Sequence, residues 1–593
     1  MPWSDCGRSR GFILDLASDY TSTGGRFRAE SIPLLRPQSD QGTQPSEGSV
    51  NPDDLWRRSA STWHLGAGQR NFDAPTSVLE RFYTSKGIDP WTIGQLGLLR
   101  DTERKKVSTA TNLRMAVAGG YLYLTEGAQI RYTTDITPAV PTWTDITGEP
   151  ATGATAITSD GFTVYTAHGA DGIYTTTRGA AATASYATGT VAGCEYVKGR
   201  LFAWSTDKLY NVTAAGALPA ALLDHANSDF AWTAVAEASG FYFAAGTSGD
   251  KSLIYRTAVK ADGTGLDTPT IAAELPDGET VLALQGYLGF LLIGTTLGVR
   301  FGSPDGNGNL TLGGLITAAT NVRCFEGQGS YVWFGWNRYD STSTGLGRMD
   351  LSFFNGSRPA YASDLMGASG VGDVQSVVTF AGTTVFTSSA EGVWAPTTSL
   401  VASGVLSWGR ITYGLFDAKV SMYVTASHEP LPTGAGVQMA LSADGGTFVG
   451  LSGSTVPAGA VSTSLSTGRA RGEGFDVQIT LGRGTDTTVG PAVTRTTFRG
   501  YPVAARSERI TVPLLLNKEQ YVRTGSATTR NVSDDLAFLA DLEDTGATFV
   551  YQVGNDAFEV MLEDHSWVPH QIQSDDHTFS GTYYAKLKRF ASE

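Results

Sequence analysis

Short apolar runs bounded by turn residues recur along the middle of the chain, from Leu113 to Trp408. In each repeat a glycine precedes an alternating or fully apolar run, and a second short run containing an aromatic residue usually follows after a turn rich in Gly, Asp and Ser. The seven glycines are Gly120, Gly161, Gly199, Gly240, Gly286, Gly329 and Gly382. Their spacing of roughly 40 to 50 residues is typical of a four-stranded propeller blade.

The runs favour β-strands over helices because they are short, rich in β-branched and aromatic residues, and bounded by turns. A single hairpin cannot bury enough apolar surface, but a ring of hairpin sheets shares a core between neighbours and protects its edges. The pattern therefore predicts a seven-bladed β-propeller over residues 111–410. A pair of β-sandwiches whose strands happen to share this spacing is the alternative.

The segments on either side of the repeats have a different pattern. Residues 1–110 predict a β/loop assembly segment. Its loop from Pro37 to Asp54 contains almost no large apolar side chain and suits either a flexible connector or one that lies on a partner. Residues 411–508 carry longer alternating strands between Gly-rich turns, which indicates a β-sandwich. The predicted fold class is therefore mainly β.

The last segment, residues 509–593, predicts a small α+β C-terminal module. Its helix is expected to begin at Ser533 as N-cap and to end at Gly546, with leucines repeating on one face. From Val532 to Phe579 the chain has eleven Asp or Glu and no Lys or Arg. This bias fits either a solvated face or a surface that meets a basic partner.

The composition limits the classes of protein to consider. The chain has 593 residues and a formal net charge of −14, which predicts several domains and argues against a protein that coats nucleic acid. Cys6, Cys194 and Cys324 are too few and too dispersed for a disulfide framework or a zinc site. We also expect no membrane helix, no secretory signal and no cofactor.

Catalytic motifs are missing from the sequence. There is no GxSxG, HExxH or zinc-deaminase pattern. Asp340, Asp350, Asp364 and Asp373 lie in the longest repeat and could supply the carboxylate pair of a glycosidase. Their spacing carries no specificity, so we predict that the protein is not an enzyme.

The same repeat contains three aromatic residues, Trp333, Trp336 and Tyr339. Exposed aromatic rings can stack on the apolar faces of sugars, whereas alternation along a strand places half of such rings in a core. A contact with a surface glycan at these three residues is therefore one hypothesis, and core packing is the other.

Two patterns suggest metal ligands without matching a metal motif. The loop beginning at Asp305 alternates oxygen ligands, but Leu310 and Ile316 stand where a calcium loop needs Gly and an acidic residue. The histidines His565, His570 and His577 lie near aspartates at spacings that fit neither a helix nor a strand. We predict no metal, and read both segments as polar turns or loops.

Particular motifs at both ends of the chain resemble the minor tail proteins of long-tailed phages that infect actinobacteria. They are Trp63-His-Leu-Gly-Ala-Gly-Gln, Phe72-Asp, Gly87-Ile-Asp-Pro-Trp-Thr-Ile-Gly-Gln-Leu, Val512 to Leu516, Trp567 to Pro569 and Gly581 to Tyr583. Gly66 and Gly68 of the first motif do not form a phosphate loop, since the third glycine and the Lys-Ser/Thr are missing.

The resemblance implies a structural virion protein at the tail tip, made in the host cytoplasm. It implies assembly with other tail proteins, a homo-oligomer of threefold or sixfold symmetry, and a propeller displayed toward the host cell surface. It defines no catalytic residues. The alternative is a secreted or virion-bound carbohydrate-binding or glycan-hydrolysing propeller.

Overall fold

The structure is a computed structural model. It describes residues 29–33, 56–72, 80–177, 179–180, 182–263, 265–316, 319–337, 343–355, 358–367, 372–414, 418–451, 458–502, 506–521, 527–529, 531–553, 556–570 and 580–589. The chain is mainly β, with 58% of the described residues in strands and one helix among them. It forms two compact units, Val50–Tyr501 and a unit made from Met1–Ser49 and Pro502–Glu593. No helix in the described part of the chain could cross a membrane.

Seven sheets follow one another along the larger unit, and we number them 1 to 7 in chain order. Each pairs its strands antiparallel in sequence order, apart from a parallel fifth strand in sheet 2 and the last strand of sheet 7, which comes from an earlier part of the chain. Sheet 1 consists of Leu113–Ala118, Tyr121–Glu126, Gln129–Thr133 and Thr144–Asp145, and sheet 2 of Ala156–Ser159, Thr163–Ala167, Ile173–Thr177, Ala184–Thr188 and Gly216–Ala217. Sheet 3 consists of Gly193–Val197, Arg200–Trp204, Lys208–Val212 and Leu223–Asp224, and sheet 4 of Ala231–Ala238, Phe241–Ser248, Lys251–Thr257 and Thr270–Glu274. Sheet 5 consists of Val281–Tyr287, Phe290–Thr295, Val299–Pro304 and Leu310–Leu312, and sheet 6 of Phe325–Gln328, Tyr331–Trp336, Gly345–Asn355 and Arg358–Met366. Sheet 7 consists of Val374–Phe380, Thr383–Ser388, Gly392–Leu400 and Arg100–Val107.

The first strand of each sheet contacts the first strand of the next, and the first strand of sheet 7 contacts that of sheet 1. Each neighbouring pair of sheets is also joined by a polar contact, so the links run in a closed circuit. The contacts, in order from sheet 1, are Ser159 Oγ to Val117 O (3.0 Å), Thr158 Oγ1 to Glu195 Oε1 (3.1 Å), Lys198 Nζ to Glu237 Oε2 (2.7 Å), Ser239 Oγ to Gly289 O (3.1 Å), Tyr287 OH to Gly329 O (2.9 Å), Thr379 N to Glu326 Oε1 (2.9 Å) and Met115 N to Ser376 Oγ (3.2 Å).

The last strand of sheet 7 comes from the N-terminal side of the repeats. Arg100–Val107 pairs antiparallel with Gly392–Leu400, so sheet 7 includes a strand that precedes residue 111. The sequence of this strand, Arg-Asp-Thr-Glu-Arg-Lys-Lys-Val, contains hardly any apolar side chain, and its buried residues are Thr102 and Lys105. That composition is why the hydrophobic pattern did not reveal the strand.

Six of the seven repeat glycines lie in or beside the turn between the first two strands, and all six have positive φ. Gly286 is the exception and corrects the expected anchor: it lies inside Val281–Tyr287, and Leu288 and Gly289 form the turn. A Cβ at Gly286 would lie 1.5 Å from the carbonyl oxygen of Glu237. Glycine is therefore required there by the close approach of sheets 4 and 5.

Two further five-stranded sheets of the larger unit contribute to one hydrophobic core. Their longest strands match those expected over residues 411–508, and each sheet adds one strand from the N-terminal region. The first contains Trp56–Ala60, Val493–Pro502, Lys419–His428, Ser462–Ser466 and Arg471–Gly472; the second contains Thr84–Lys86, Ser403–Ser407, Phe475–Gly482, Gly436–Ala443 and Val449–Gly450. Ile88–Asp89 and Gly97–Leu98 form a separate two-stranded sheet.

The predicted division into four segments stays a prediction. Within residues 1–110, Trp56–Ala60, Thr84–Lys86 and Arg100–Val107 pair with strands far along the chain, whereas Ile88–Asp89 pairs with Gly97–Leu98. The N-terminal region therefore contributes to several sheets and also forms one short sheet of its own. The loop from Pro37 to Asp54 lies outside the described residues.

The smaller unit contains one antiparallel sheet and the helix Val532–Thr545. The sheet order is Ala29–Pro33, Arg506–Leu516, Gly581–Arg589, Asp556–Pro569 and Thr548–Val553, with a separate pair of Glu519–Tyr521 and Ala527–Thr529. Leu539 and Leu542 are buried in a core with residues of the strands, because they lie on one face of the helix.

The first end of this helix differs from the prediction, and the second agrees with it. The N-cap is Asn531, whose Oδ1 accepts a hydrogen bond from Ser533 N at 3.2 Å, whereas Ser533 was expected to be the cap. Both Asn and Ser favour this position, so the sequence could not separate them. Gly546 ends the helix in the left-handed conformation with φ of 60°, as predicted.

Candidate functional site

Two of the three aromatic residues proposed as a glycan contact are buried. Trp333 is 7% exposed and Trp336 is 2% exposed; Tyr339 lies outside the described residues. Tyr331–Trp336 is the second strand of sheet 6 and is buried on both faces from Val332 onward. Neither indole offers a free face to a sugar, which corrects the expectation for these two residues.

Trp333 instead belongs to a cluster around an arginine. Its Nε1 donates to Asp364 Oδ2 at 2.7 Å, and Arg348 Nε lies 3.1 Å from the same oxygen. The guanidinium of Arg348 lies 5.1 Å from the ring centres of Trp91 and Tyr331 and 5.7 Å from that of Trp333. We call these five residues, with Asp89, the Arg348 cluster.

The Arg348 cluster connects the N-terminal region to sheet 6. Asp89 Oδ1 lies 3.5 Å from Arg348 Nη2 and accepts a hydrogen bond from Trp91 N at 3.1 Å. Burial raises the pKa of Asp364, although the charge of Arg348 and the hydrogen bond from Trp333 act in the opposite direction. Asp364 contacts Trp333 and Arg348 within this cluster, so the cluster has a structural role in joining the N-terminal region to sheet 6.

The other aspartates considered as a glycosidase pair are also engaged internally. Asp350 is buried, and its Oδ1 accepts hydrogen bonds from Ser352 N and Oγ at 2.9 and 2.6 Å. Asp373 Oδ2 lies 3.4 Å from Arg323 Nε. Asp340 lies outside the described residues.

Sequence reasoning missed a group of ionisable side chains on or beside the first strands of sheets 1, 3 and 6, which we call the first-strand cluster. It contains Arg114, Glu195, Cys324 and Glu326. A charged residue inside an otherwise apolar run, as in Leu-Arg-Met-Ala-Val-Ala and Gly-Cys-Glu-Tyr-Val, was the available signal.

Burial dominates the electrostatics of the first-strand cluster. It raises the pKa of Glu195 to about 7, against smaller lowering effects of the hydrogen bond from Thr158 and the charge of Arg114. It also raises the pKa of Glu326, raises the pKa of Cys324 to about 12 and lowers the pKa of Arg114.

These shifts limit the chemistry that the first-strand cluster can support. A thiol with so high a pKa stays protonated and is a poor nucleophile. Glu195, by contrast, exchanges a proton near neutral pH. The cluster can therefore hold a proton or a polar group, and it offers no activated nucleophile.

The two suspected metal sites form other contacts. Asp305 Oδ1 accepts from Asn307 N and Asn309 N at 2.8 Å each, so its carboxylate closes a tight turn. His565 Nδ1 lies 2.5 Å from Glu543 Oε2, and His570 Nε2 lies 3.1 Å from a threonine hydroxyl. The described residues contain no group of three His, Cys, Asp or Glu side chains placed to hold a metal, and His577 lies outside them.

Gly66 and Gly68 serve close packing against sheet 6. They have φ of 78° and 98°. A Cβ at Gly66 would lie 2.4 Å from the backbone oxygen of Tyr361, and one at Gly68 would lie 2.2 Å from its hydroxyl oxygen. Ala67 N donates to the backbone oxygen of Tyr361 at 2.6 Å. Both the positive φ and the contact exclude larger side chains.

Comparison with known proteins gives weak similarities of fold. No protein-family model and no curated protein matches the chain. Among solved structures, it is similar to virginiamycin B lyase from Staphylococcus aureus (14% identity, 50% of this chain and 98% of that chain, TM-score 0.40). It is also similar to YCF48 bound to D1 peptide (14%, 51% and 97%, 0.35) and to the computationally designed Ika8 protein (11%, 50% and 99%, 0.35). The first two are propeller-like.

Proposed function

We propose that sheets 1 to 7 are the blades of a closed seven-bladed propeller, followed by a β-sandwich and a small α+β module. The support is the closed circuit of polar contacts between neighbouring sheets. A propeller also explains why sheet 7 takes its last strand from Arg100–Val107, because pairing both chain ends in one blade closes the ring.

We propose further that the protein is a structural virion protein of a phage tail tip, which assembles with other tail proteins through its terminal segments. The observation that carries this proposal is the unit formed by the two ends of the chain. Ala29–Pro33 pairs with Arg506–Leu516, with Ala29 opposite Ile510. If the protein assembles through this terminal unit, the repeated sheets remain available for display. The resemblance of the end motifs to minor tail proteins implies the same arrangement.

A structural role also agrees with the internal contacts of the candidate catalytic groups. The buried Asp350 and Asp364 bind side chains or backbone of their own sheet, and the thiol of Cys324 stays protonated because of its high pKa. These groups stabilise the fold instead of facing a substrate. The alternative, a carbohydrate-binding or glycan-hydrolysing propeller, loses the two indoles that favoured it.

Incorporation into particles tests the proposal in two steps. Negative-stain microscopy of phage particles labelled with an antibody to this chain should place it at the tail tip. Ile510→Asp puts a charge into the core of the terminal unit, where Ile510 is 6% exposed, and should abolish incorporation while leaving the larger unit folded.

Thr511→Asp is the matched control, because the neighbouring residue points to the opposite face of the strand. Normal incorporation of the Ile510→Asp chain would contradict assembly through the ends. Turnover of purified cell-wall polysaccharide by the wild-type protein would favour the alternative function.

A further inference from the structure

One face of the sandwich sheet built on Val493–Pro502 is basic, although the chain as a whole is acidic. The strands Trp56–Ala60, Val493–Pro502, Lys419–His428 and Ser462–Ser466 contain no Asp or Glu. Arg495, Thr497 and Arg499 alternate along one strand and therefore share a face. Arg495 is exposed, and Arg499 is half-buried.

Two like charges lie opposite each other on this face. Arg57 pairs with Arg499 in the strand register, and the next pair on the same face is Ser59 with Thr497, whose hydroxyl oxygens are 3.1 Å apart. Burial, and then the charges of Arg499 and Arg495, lowers the pKa of Arg57. Like charges directly opposite on neighbouring strands repel each other, so the two guanidinium groups concentrate positive charge on this face.

The rest of the face supplies hydrogen-bonding groups and one ring. The guanidinium of Arg499 lies 5.4 Å from the ring centre of Tyr423, and its buried Nε has no hydrogen-bond partner among the described residues. Thr425 Oγ1 and Ser464 Oγ, on the following strands, are 3.2 Å apart. We call Arg57, Arg495 and Arg499 with this hydroxyl border the basic face.

The chain itself contains a surface of opposite charge. On the helix Val532–Thr545, Asp541 and Asp544 are exposed, as are Ala537 and Ala540. Residues three or four apart lie on one side of a helix, with Cβ atoms about 5–6 Å apart. This separation is close to the distance of roughly 4.5–5.5 Å between the Cβ atoms of opposite residues on neighbouring strands, so two aspartates of the helix can face two side chains of the sheet. The exposed alanines allow the helix to approach the sheet closely.

We propose that the basic face binds the acidic helix face, Asp541 and Asp544, of a second copy of this chain. Repulsion between two chains of charge −14 does not prevent this contact, because charges more than about 8 Å apart are largely screened at physiological ionic strength. A nucleic acid or polyphosphate is the less favoured occupant, because its backbone concentrates many negative charges and is repelled by an acidic chain more strongly than a single helix face is. The contact is heterologous, so it links copies head to tail. The proposal does not depend on the tail-tip location.

Sedimentation velocity of the full chain over a range of concentrations tests the contact, at about 50 mM and 500 mM NaCl. We expect self-association that weakens at the higher salt concentration. Arg499→Glu should weaken it at least about tenfold, and so should Asp541→Lys with Asp544→Lys. The chain carrying all three changes should recover most of the wild-type association, because the charges are exchanged between the two surfaces.

Lys260→Glu is the control, since it makes the same change of charge at an exposed position outside the basic face. If Arg499→Glu does not fold, Arg495→Glu replaces it, because that side chain is exposed. A wild-type chain that stays monomeric, or charge exchange without recovery, overturns the proposal. Binding of polyphosphate by a monomer, lost with Arg499→Glu, would assign the face to a polyanion instead.

Discussion

Replacing Glu195 with Gln should stabilise the protein at neutral and alkaline pH and have little effect at acid pH. Glu195 accepts a hydrogen bond from Thr158 at 3.1 Å, and the glutamine oxygen can accept the same bond. What the substitution removes is the charge. Burial raises the pKa of Glu195 to about 7 from a value of 4.5 in the absence of the fold, so the folded protein binds this proton more tightly than the unfolded chain does.

The magnitude follows from the shift in pKa. A pKa raised on folding contributes stability that is fully present below pH 4.5 and is lost as the pH rises through 7. A shift of about 2.5 units corresponds to roughly 3 kcal/mol. The favourable interaction of the Glu195 charge with Arg114 is already included in that shift, so about 3 kcal/mol is the gain expected at pH 8.

Hydrogen exchange of peptides from strands Gly193–Val197 and Arg200–Trp204, at pH 5 and pH 8, measures the unfolding of sheet 3 directly. This local measurement is needed because a chain with two compact units does not have a single unfolding free energy. Glu274→Gln removes an exposed charge whose contact with Lys251 is 3.6 Å, and should change protection by less than about 1 kcal/mol. A Glu195→Gln effect of equal size at both pH values, or destabilisation at pH 8, would refute the reasoning.

Two other substitutions test the packing of the N-terminal region and of the terminal helix. Gly68→Ala should destabilise the larger unit by more than about 2 kcal/mol in chemical denaturation, and Tyr361→Phe should recover part of that loss by removing the hydroxyl that the new methyl meets at 2.2 Å. No recovery would show that the positive φ accounts for the whole effect. His565→Gln should lower the stability of the terminal unit by less than about 1 kcal/mol, since the contact of His565 Nδ1 with Glu543 Oε2 lies at a partly exposed position. A clearly larger loss would assign the effect to the stacking of His565 on the ring of Tyr583.

The repeat was predictable because its second and third strands carry strong local signals. Apolar and aromatic runs such as Tyr121–Glu126 and Phe241–Ser248 alternate with glycine turns, and both features act over a few residues. The long strands Lys419–His428 and Phe475–Gly482 were found for the same reason. Local patterns of this kind do not contain strand partners far along the chain.

The parts that the sequence did not predict depend on those distant partners. Arg100–Val107 is polar, and it forms a strand because its backbone pairs with that of Gly392–Leu400. The sequence around Trp333 and Trp336 could not show whether one or both faces of their strand are buried. In the structure both faces are buried. The ionisable group of Arg114 and Glu195 forms only when sheets 1 and 3 approach each other.

The N-terminal region gains its structure from the sheets that it joins. Gly66 and Gly68 contact Tyr361 of sheet 6, Thr84–Lys86 pairs with Ser403–Ser407 at the edge of another sheet, and Arg100–Val107 is the last strand of sheet 7. Because each contact is made with a different sheet, the motifs of this region are explained by packing. A glycine pair that looks like part of a phosphate loop is then the expected sequence of a segment packed closely against sheet 6, because a backbone without side chains allows the closest approach.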